Sequence, residues 1–473
     1  MRNICIYGAG NAGKSLYKTL KNINSYKICF FVDDFSNNSE LFNLPVIPLS
    51  DLQPMLNCYE VKEIFFAIPG VSFERRHEIL DEISKFGLHV SIVDESVIAR
   101  DGVATNFDLR DVNISELTGR NPAPLDFGGA REIIHDRVVL ITGAGGSIGS
   151  ELVRQVLSLE PKAIVAVDQS EFSLYALQET LNKFDSNLVI QYFLRDVKNY
   201  DAMEEIFANY HPNIIFHAAA YKHVPIVEAN IIDGVANNII STNTILRLSK
   251  KFAVDEFVLV STDKAVRPTN YMGASKRICE LMMSQFIDAE NISPRCVAVR
   301  FGNVVGSSGS VIPKFIDQIS KGGPVTVTHP EITRFFMTIP EACHLLIQTL
   351  AVSGKSNIFL LDMGSPIRVV DIAKKLIQLS GYSVGPEGVE IVFTGLRPGE
   401  KLYEELLIDG VPEKTEIPLI YRGVNEFLMP IDFKVTLEAL LHALHVRNYE
   451  RVKELVKVLA PDFNSAIHDV CAM

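Results

Sequence analysis

Positive charge is scarce in this sequence, long apolar runs are missing, and no two cysteines form a Cys-x-x-Cys pair. Lysine and arginine number 45 against 57 aspartates and glutamates, a net charge of -12 at pH 7. That balance argues against nucleic acid or an anionic membrane as the main partner. No apolar stretch reaches the ~18 residues that a membrane-spanning helix needs. The opening "MRNICIYGAG" runs directly into an apolar strand and a glycine turn, so no signal peptide is expected. The seven cysteines (Cys5, Cys29, Cys58, Cys279, Cys296, Cys343, Cys471) are scattered along the chain. They are expected to be free, buried thiols in a reducing compartment, neither a disulfide frame nor a zinc site. A soluble, cytoplasmic protein is the expectation that remains. Its 473 residues, 47% hydrophobic and 22% charged, suffice for two or three domains with sizeable cores.

Two segments open alike, with an apolar strand, a Gly-rich turn and an amphipathic helix. The first is "NICIYGAGNAGKSLYKTL", followed by the strands "KICFFVDD" and "VKEIFFAIPG". The second begins at "RVVLITGAGGSIGSELVRQVL" and continues through "AIVAVDQ", "NLVIQYFLRDV", "NIIFHAAA", "EFVLVSTDKA" and "RCVAVRFGNV". Strands alternating with helical patterns predict an α/β fold with two Rossmann-like, doubly wound parallel sheets. The expected organisation is a first domain over 1–120, a Pro/Gly-punctuated linker over 121–136 and a larger domain over 137–412. From about residue 303 that larger domain loosens into a smaller lobe. The last segment, 413–473, is read as a helical tail. Its apolar positions Leu437, Leu440, Leu441, Leu444, Val452, Leu455, Val456 and Leu459 fit a helical hairpin packed on the body or on a partner subunit.

In "TGAGGSIG", Gly143, Gly146 and Gly149 permit a tight turn and a close approach of backbone to a pyrophosphate at a helix N-terminus. Asp168 closes the next strand, nineteen residues after Gly149. A carboxylate there accepts the adenosine ribose hydroxyls and repels a 2'-phosphate, which favours NAD over NADP. Asp196 and Val197, after the third strand, are placed beside the adenine. The first turn, Gly8 to Gly13 with Asp33 twenty residues on, leaves two readings open. It is a second nucleotide site, or a Rossmann-like domain kept for assembly or regulation.

The segment "VSTDKAVRPTNYMGASKR" concentrates polar chemistry. Thr262, Asp263 and Lys264 follow a buried strand at the carboxyl end of the sheet, where ligands of open α/β folds bind. Short-chain dehydrogenases place a catalytic Tyr four residues before a catalytic Lys; here Met272 stands four before Lys276, and Tyr271 one step earlier. Residues four apart on a helix differ by about 40° in azimuth and residues five apart by about 140°, so Tyr271 does not replace the missing residue without a distortion. Lys276 is assigned to the nicotinamide ribose. A thioether has no proton to exchange, so Met272 marks either an inert site or a spectator beside other proton carriers. Asp263 and Lys264, an acid and a base side by side, suit elimination of water. The competing reading is a surface ion pair.

These residues complete a resemblance. The motifs "TGAGGSIGSEL", "VDQSEFSLYALQ", "HAAAYKHVPIVE", "STDKAVRPTNYMGASKR", "RFGNVVGSSGSVIPKF", "EITRFFMT" and "LRPGEKLYEELL" cover about 136–410 in order. They resemble the long-form nucleotide-sugar 4,6-dehydratases of the extended short-chain dehydrogenase group, which act on UDP-N-acetylglucosamine. Within that family the chain is similar to the subgroup in which Met replaces Tyr and C5 configuration is retained. The resemblance implies bound NAD, with Ser147, Ile148, Ser170, Ala218, Ala219 and Ala220 joining the cofactor residues above. It implies a UDP-sugar substrate, with Lys222, His223, Asn303, Arg334, Arg397 and Glu400 on the substrate side, and a homo-oligomer. Arg334 and Arg397 are expected on phosphate, because a planar guanidinium matches two oxygens. Glu400 is expected to hold the uridine ribose or position Arg397, and His223 is either a substrate contact or a structural histidine. Many long members of the family carry membrane helices ahead of this region; none is expected here.

In the implied chemistry, C4 is oxidised, Lys264 removes the C5 proton and Asp263 protonates the leaving C6 hydroxyl. Lys264 needs a depressed pKa for this, expected from desolvation, Lys276 and the cationic nicotinamide. Thr262 with a water beside Met272 is expected to relay the C4 hydroxyl proton. No metal is expected. Two rivals remain: a nucleotide-sugar 4-epimerase, and a non-catalytic NAD-binding scaffold or sensor.

Overall fold

The alternation of apolar strands and amphipathic helices folds into two separate sheets. The computed structural model describes residues 2–93, 109–111, 126–182, 189–284, 294–307, 309–354, 357–407, 411–423 and 429–464. The chain divides into two compact units. One comprises Met1–Pro122, Gly309–Glu331 and Ile367–Gly395; the other comprises Ala123–Ser308, Ile332–Pro366 and Leu396–Met473.

The first unit holds strands β1 (Arg2–Tyr7), β2 (Tyr26–Val32), β3 (Glu40–Leu41), β4 (Leu44–Ile47), β5 (Glu63–Phe66), β6 (His89–Val93) and β7 (Leu109–Asp111). They lie in the order β3-β4-β2-β1-β5-β6-β7, parallel except for β3 and β7 at the edges. After β1 the glycine turn is tied to the end of β2, because Asp33 accepts the amides of Ala9 at 2.8 Å and Phe35 at 2.9 Å. Two stretches that the sequence pattern assigns to the later lobe belong to this unit. Helix Val369–Leu379 lies beside helix Phe73–Ser84, with Lys375 Nζ 2.6 Å from Asp81, and Ser380 bridges to His89. The reason is burial: Val369, Val370, Ile372, Ala373, Leu376 and Ile377 form an apolar face that needs cover.

The second unit carries β8 (Val138–Thr142), β9 (Ala163–Asp168), β10 (Val189–Leu194), β11 (Ile214–His217), β12 (Glu256–Val260) and β13 (Arg295–Arg300). The sheet runs β10-β9-β8-β11-β12-β13 and continues through the strand Asn357–Leu361, all parallel. Strand order reverses between β8 and β11, which puts the ligand crevice of this fold at their carboxyl ends. Residues alternate between two cores. Leu140, Val165, Ile215 and Phe257 face one, and Val139, Ile164, Ile214 and Val258 face the other, as expected for strands covered on both faces.

Residues 413–422 depart from the helical tail read from sequence. Glu413–Lys414 and Ile420–Arg422 are short strands that extend the sheet in antiparallel sense. Two and three residues are too few to show a strand period. The helices Phe433–His445 and Tyr449–Leu459 follow, and Leu437, Leu440, Val452, Leu455, Val456 and Leu459 join the core of this unit. Within the expected linker, Gly128–Ile134 is a helix that buries Ala130 and Ile134; residues 121–125 lie outside the described residues. Cys5, Cys29, Cys279, Cys296 and Cys343 are buried and form no disulfide among the described residues, but Cys58 is exposed, and Cys471 lies outside the described residues. Among the described residues no helix is long and apolar enough to cross a membrane.

Candidate active site

The glycine turn lies at the reversal point. Gly143 follows β8, and Ala218, Ala219 and Ala220 follow β11. Helix Ser147–Leu157 starts on Ser147, Ile148 and Gly149, with Gly146 as its cap; its first amides are the ones a helix leaves without internal partners. A Cβ on Gly149 would lie 2.0 Å from the Gly143 carbonyl, so only glycine lets this helix start so close to the strand. Asp168 accepts the amides of Gly145 and Ser170, each at 2.9 Å, and Ser170 caps the helix Glu171–Leu181. Asp196 accepts the Lys198 amide at 3.0 Å, and Val197 is buried in the core. A helix N-terminus, a tight glycine approach and a carboxylate fixed at the end of β9 suit a dinucleotide.

Under the turn, His217 is fully buried between two hydroxyls, Thr142 Oγ1 at 2.7 Å from Nδ1 and Thr242 Oγ1 at 3.1 Å from Nε2. Burial, helped by the positive charge of Lys276, pushes its pKa from 6.5 down to about 3. The folded state therefore keeps His217 neutral while the unfolded chain protonates it below about pH 6.5. Stability from this group is full above that pH and is lost as pH falls toward 3. Lowering pH from 7 to 5 is expected to cost about 2 kcal/mol through His217 alone. Urea unfolding of the native protein and His217→Gln at both pH values measures the difference, which should be absent from the variant.

Thr262 caps a single turn, Asp263–Ala265, beyond β12. Asp263 is fully buried. Its Oδ1 accepts from Thr262 Oγ1 and from Lys264 Nζ, both at 2.9 Å; among the described residues Oδ2 has no partner. The pair is thus no surface ion pair: its carboxylate is buried and the Lys264 side chain is 20% exposed. Helix Tyr271–Ser284 touches this turn through Gly273, where a Cβ would lie 2.2 Å from the Lys264 carbonyl. Through that contact the helix that carries Met272 and Lys276 packs on the Asp263–Lys264 turn. Lys276 is buried, and burial lowers its pKa. Met272 packs in the core. Tyr271 takes the other direction: its amide donates to Glu228 at 2.6 Å and its ring meets Phe463 edge-on at 4.9 Å. It is a neighbour of the C-terminal helices.

One expectation is corrected. Burial does oppose the charge on Lys264, but the carboxylates of Asp263 and Glu404 outweigh it, and the pKa is raised. Glu404 is the residue that sequence reasoning missed. Its side chain is 3% exposed, with Oε1 3.5 Å from Lys264 Nζ and 3.8 Å from Arg334 Nη2. Its Oε2 is buried, again without a partner among the described residues.

The substrate-side residues separate into two groups. Arg334 is buried and already committed: it donates to the carbonyls of Thr333 at 2.7 Å and Lys401 at 2.9 Å, and to Glu400 at 3.4 Å. A guanidinium so occupied anchors the segment 400–404, unlike the open phosphate fork expected of it. Glu400 also accepts the Arg397 amide at 3.1 Å, closing the turn that presents an exposed Arg397. Of the two roles expected for Glu400, this geometry matches positioning of Arg397. Asn303 lies on a short strand paired with Phe336–Thr338. Lys222 and His223 are exposed, and His223 precedes the helix Val224–Ala229.

A Rossmann core with this turn, a lysine on the neighbouring helix and additions beyond β13 defines the class, an extended short-chain dehydrogenase fold. The chain belongs to the family described as polysaccharide biosynthesis protein, whose model matches residues 139–425. Residues 3–83 match the PglD N-terminal domain. The probable polysaccharide biosynthesis protein EpsC of Bacillus subtilis is 42% identical, over 85% of this chain and 68% of its own. A UDP-glucose 4-epimerase of Rickettsia rickettsii is 31% identical, over 68% of this chain and 96% of its own. Among solved structures, Pen from Bacillus thuringiensis is 34% identical with a TM-score of 0.53, over 58% of this chain and 84% of its own. DesIV of Streptomyces venezuelae, a dTDP-glucose 4,6-dehydratase solved with NAD bound, shares the fold at 20% identity and a TM-score of 0.50, over 57% of this chain and 88% of its own.

Proposed function

We propose that this chain is an NAD-dependent UDP-N-acetylglucosamine 4,6-dehydratase. Its product would be UDP-2-acetamido-2,6-dideoxy-hexos-4-ulose, with C5 configuration retained, for bacterial glycan synthesis. The observation that carries this reading is the Asp263–Lys264 pair, its carboxylate buried and its lysine partly so, 2.9 Å apart at the carboxyl end of β12. Elimination needs a base for the C5 proton and an acid for the C6 hydroxyl, and this pair supplies both. The turn Gly143–Gly149, Asp168, Ser170, Asp196, Val197, Ala218–Ala220 and Lys276 would hold NAD, which when bound accepts hydrogen from C4 and returns it to C6. Thr262 would receive the C4 hydroxyl proton, and Arg397 is the proposed diphosphate contact. Family membership and the polysaccharide-synthesis relative favour a nucleotide-sugar substrate.

The second reading is 4-epimerisation, favoured by the Rickettsia relative. That reaction has no use for an acid at C6. Proton NMR of the purified protein incubated with UDP-N-acetylglucosamine separates the two. The expected outcome is a new C6 methyl doublet. A changed C4 proton without a methyl signal means epimerase, and no change at all means a scaffold.

A further inference from the structure

Without a tyrosine, the proton of the C4 hydroxyl needs another route, and Lys264 needs to lose its own proton before it can act as a base. The site holds a continuous line of polar atoms that meets both needs. Thr262 Oγ1 is 2.9 Å from Asp263 Oδ1, Asp263 Oδ1 is 2.9 Å from Lys264 Nζ, and Lys264 Nζ is 3.5 Å from Glu404 Oε1. Two carboxylate oxygens on this line, Asp263 Oδ2 and Glu404 Oε2, are buried without a partner among the described residues. A buried carboxylate oxygen left bare is costly unless something comes to it. We propose that Glu404 ends this proton line and takes the Lys264 proton, as a positioning residue that acts through the lysine amine.

The proton count closes without solvent. This rests on the dehydratase reading. Asp263 and Glu404 start as carboxylates and Lys264 as an ammonium. When C4 is oxidised, its hydroxyl proton passes to Thr262 Oγ1 as the Thr262 proton passes to Asp263. One of the two negative charges facing Lys264 is then gone. Asp263 on its own turn and Glu404 and Arg334 from two other segments are the charged groups that face this amine, so loading Asp263 weakens the hold on the ammonium. Lys264 passes a proton to Glu404 and becomes an amine. The amine takes the C5 proton, the C5–C6 double bond forms, the C6–O bond breaks, and Asp263 delivers its proton to the departing water. As C6 is reduced, Lys264 returns its proton to C5, and Glu404 then returns its own to Lys264. The C4 hydroxyl proton has left in the water, and every side chain has its starting charge.

Glutamine at 404 keeps the shape and loses the acceptor. Glu404→Gln is expected to lower kcat by about 10²-fold at neutral pH with KM little changed. Lys264 must then release its proton to bulk water, so kcat of the variant is expected to climb by about tenfold per pH unit toward alkaline pH, a slope the native enzyme lacks. Glu404→Asp keeps an ionisable acceptor and should show no such slope, which serves if the amide disrupts folding. Native-like kcat in Glu404→Gln, an equal loss at every pH, or an alkaline slope in Glu404→Asp overturns the role of Glu404. If the native enzyme forms no C6 methyl product, the reaction itself is wrong and the proton line falls with it.

Discussion

Lys264→Met is expected to remove turnover by at least about 10³-fold, leaving bound NAD and an unchanged retention volume. The magnitude follows from what one substitution takes away. A positioned acid or base contributes about 10² to 10⁴ in rate, and methionine fills the space without carrying a proton in either direction. Asp263 would also lose its 2.9 Å cationic partner, and Glu404 would keep Arg334 at 3.8 Å as its remaining cation among the described residues. Asp263→Asn should be as damaging, because an amide cannot protonate the leaving hydroxyl. Met272→Leu is the contrast. Met272 packs in the core and its thioether holds no proton, so kcat should stay within about tenfold of the native value. Single-turnover measurement of the C6 methyl signal, beside the cofactor absorbance of each purified variant, checks all three. Near-total loss in a folded, NAD-bound Met272→Leu would return the methionine to the chemistry.

The cofactor turn was legible because its requirements are local. Gly143, Gly146 and Gly149 carry their meaning in spacing, and Asp168 lies at the end of the next buried strand, the position from which it accepts the Gly145 amide. Asp263 and Lys264 were legible for a similar reason: a polar pair directly after a strand buried on both faces has to sit at the sheet's carboxyl end. Glu404 was not. It lies in residues 396–407, which have no helix or strand, so no periodicity tells which side chains turn inward. Missing Glu404 also reversed the sign assigned to Lys264. Desolvation was visible in the sequence, while Glu404, which joins Asp263 in outweighing it, was not. Arg334 misled in the same way, since it donates to the Lys401 and Leu402 carbonyls of that irregular segment.

The largest stability effect is expected deeper in the same unit, at Glu280. Glu280 and Arg300 are both fully buried, and they meet through two bonds, 2.8 Å from Nε to Oε1 and 2.7 Å from Nη2 to Oε2. Ser261 donates to Glu280 at 2.6 Å and Arg277 at 3.2 Å, while Arg300 also reaches the Leu406 carbonyl at 3.3 Å. One carboxylate thus links β12, helix Tyr271–Ser284, β13 and the segment carrying Glu404. Burial alone would raise the Glu280 pKa, but Arg300, then Arg277 and Ser261, hold it below the usual range. Stability from Glu280 is therefore full above about pH 4.3 and is lost as pH falls below it. Glu280→Ala leaves two buried guanidinium groups facing a cavity, and removing one member of a buried pair costs about 3–5 kcal/mol. Urea unfolding followed by circular dichroism should show that loss. Replacing both partners with methionine removes one of the two stranded charges as well as the bond, so Glu280→Met with Arg300→Met should recover part of the loss. A double variant no more stable than Glu280→Ala would mean that the network's value lies in linking four segments, and that the charge left unpaired is the smaller part of the cost.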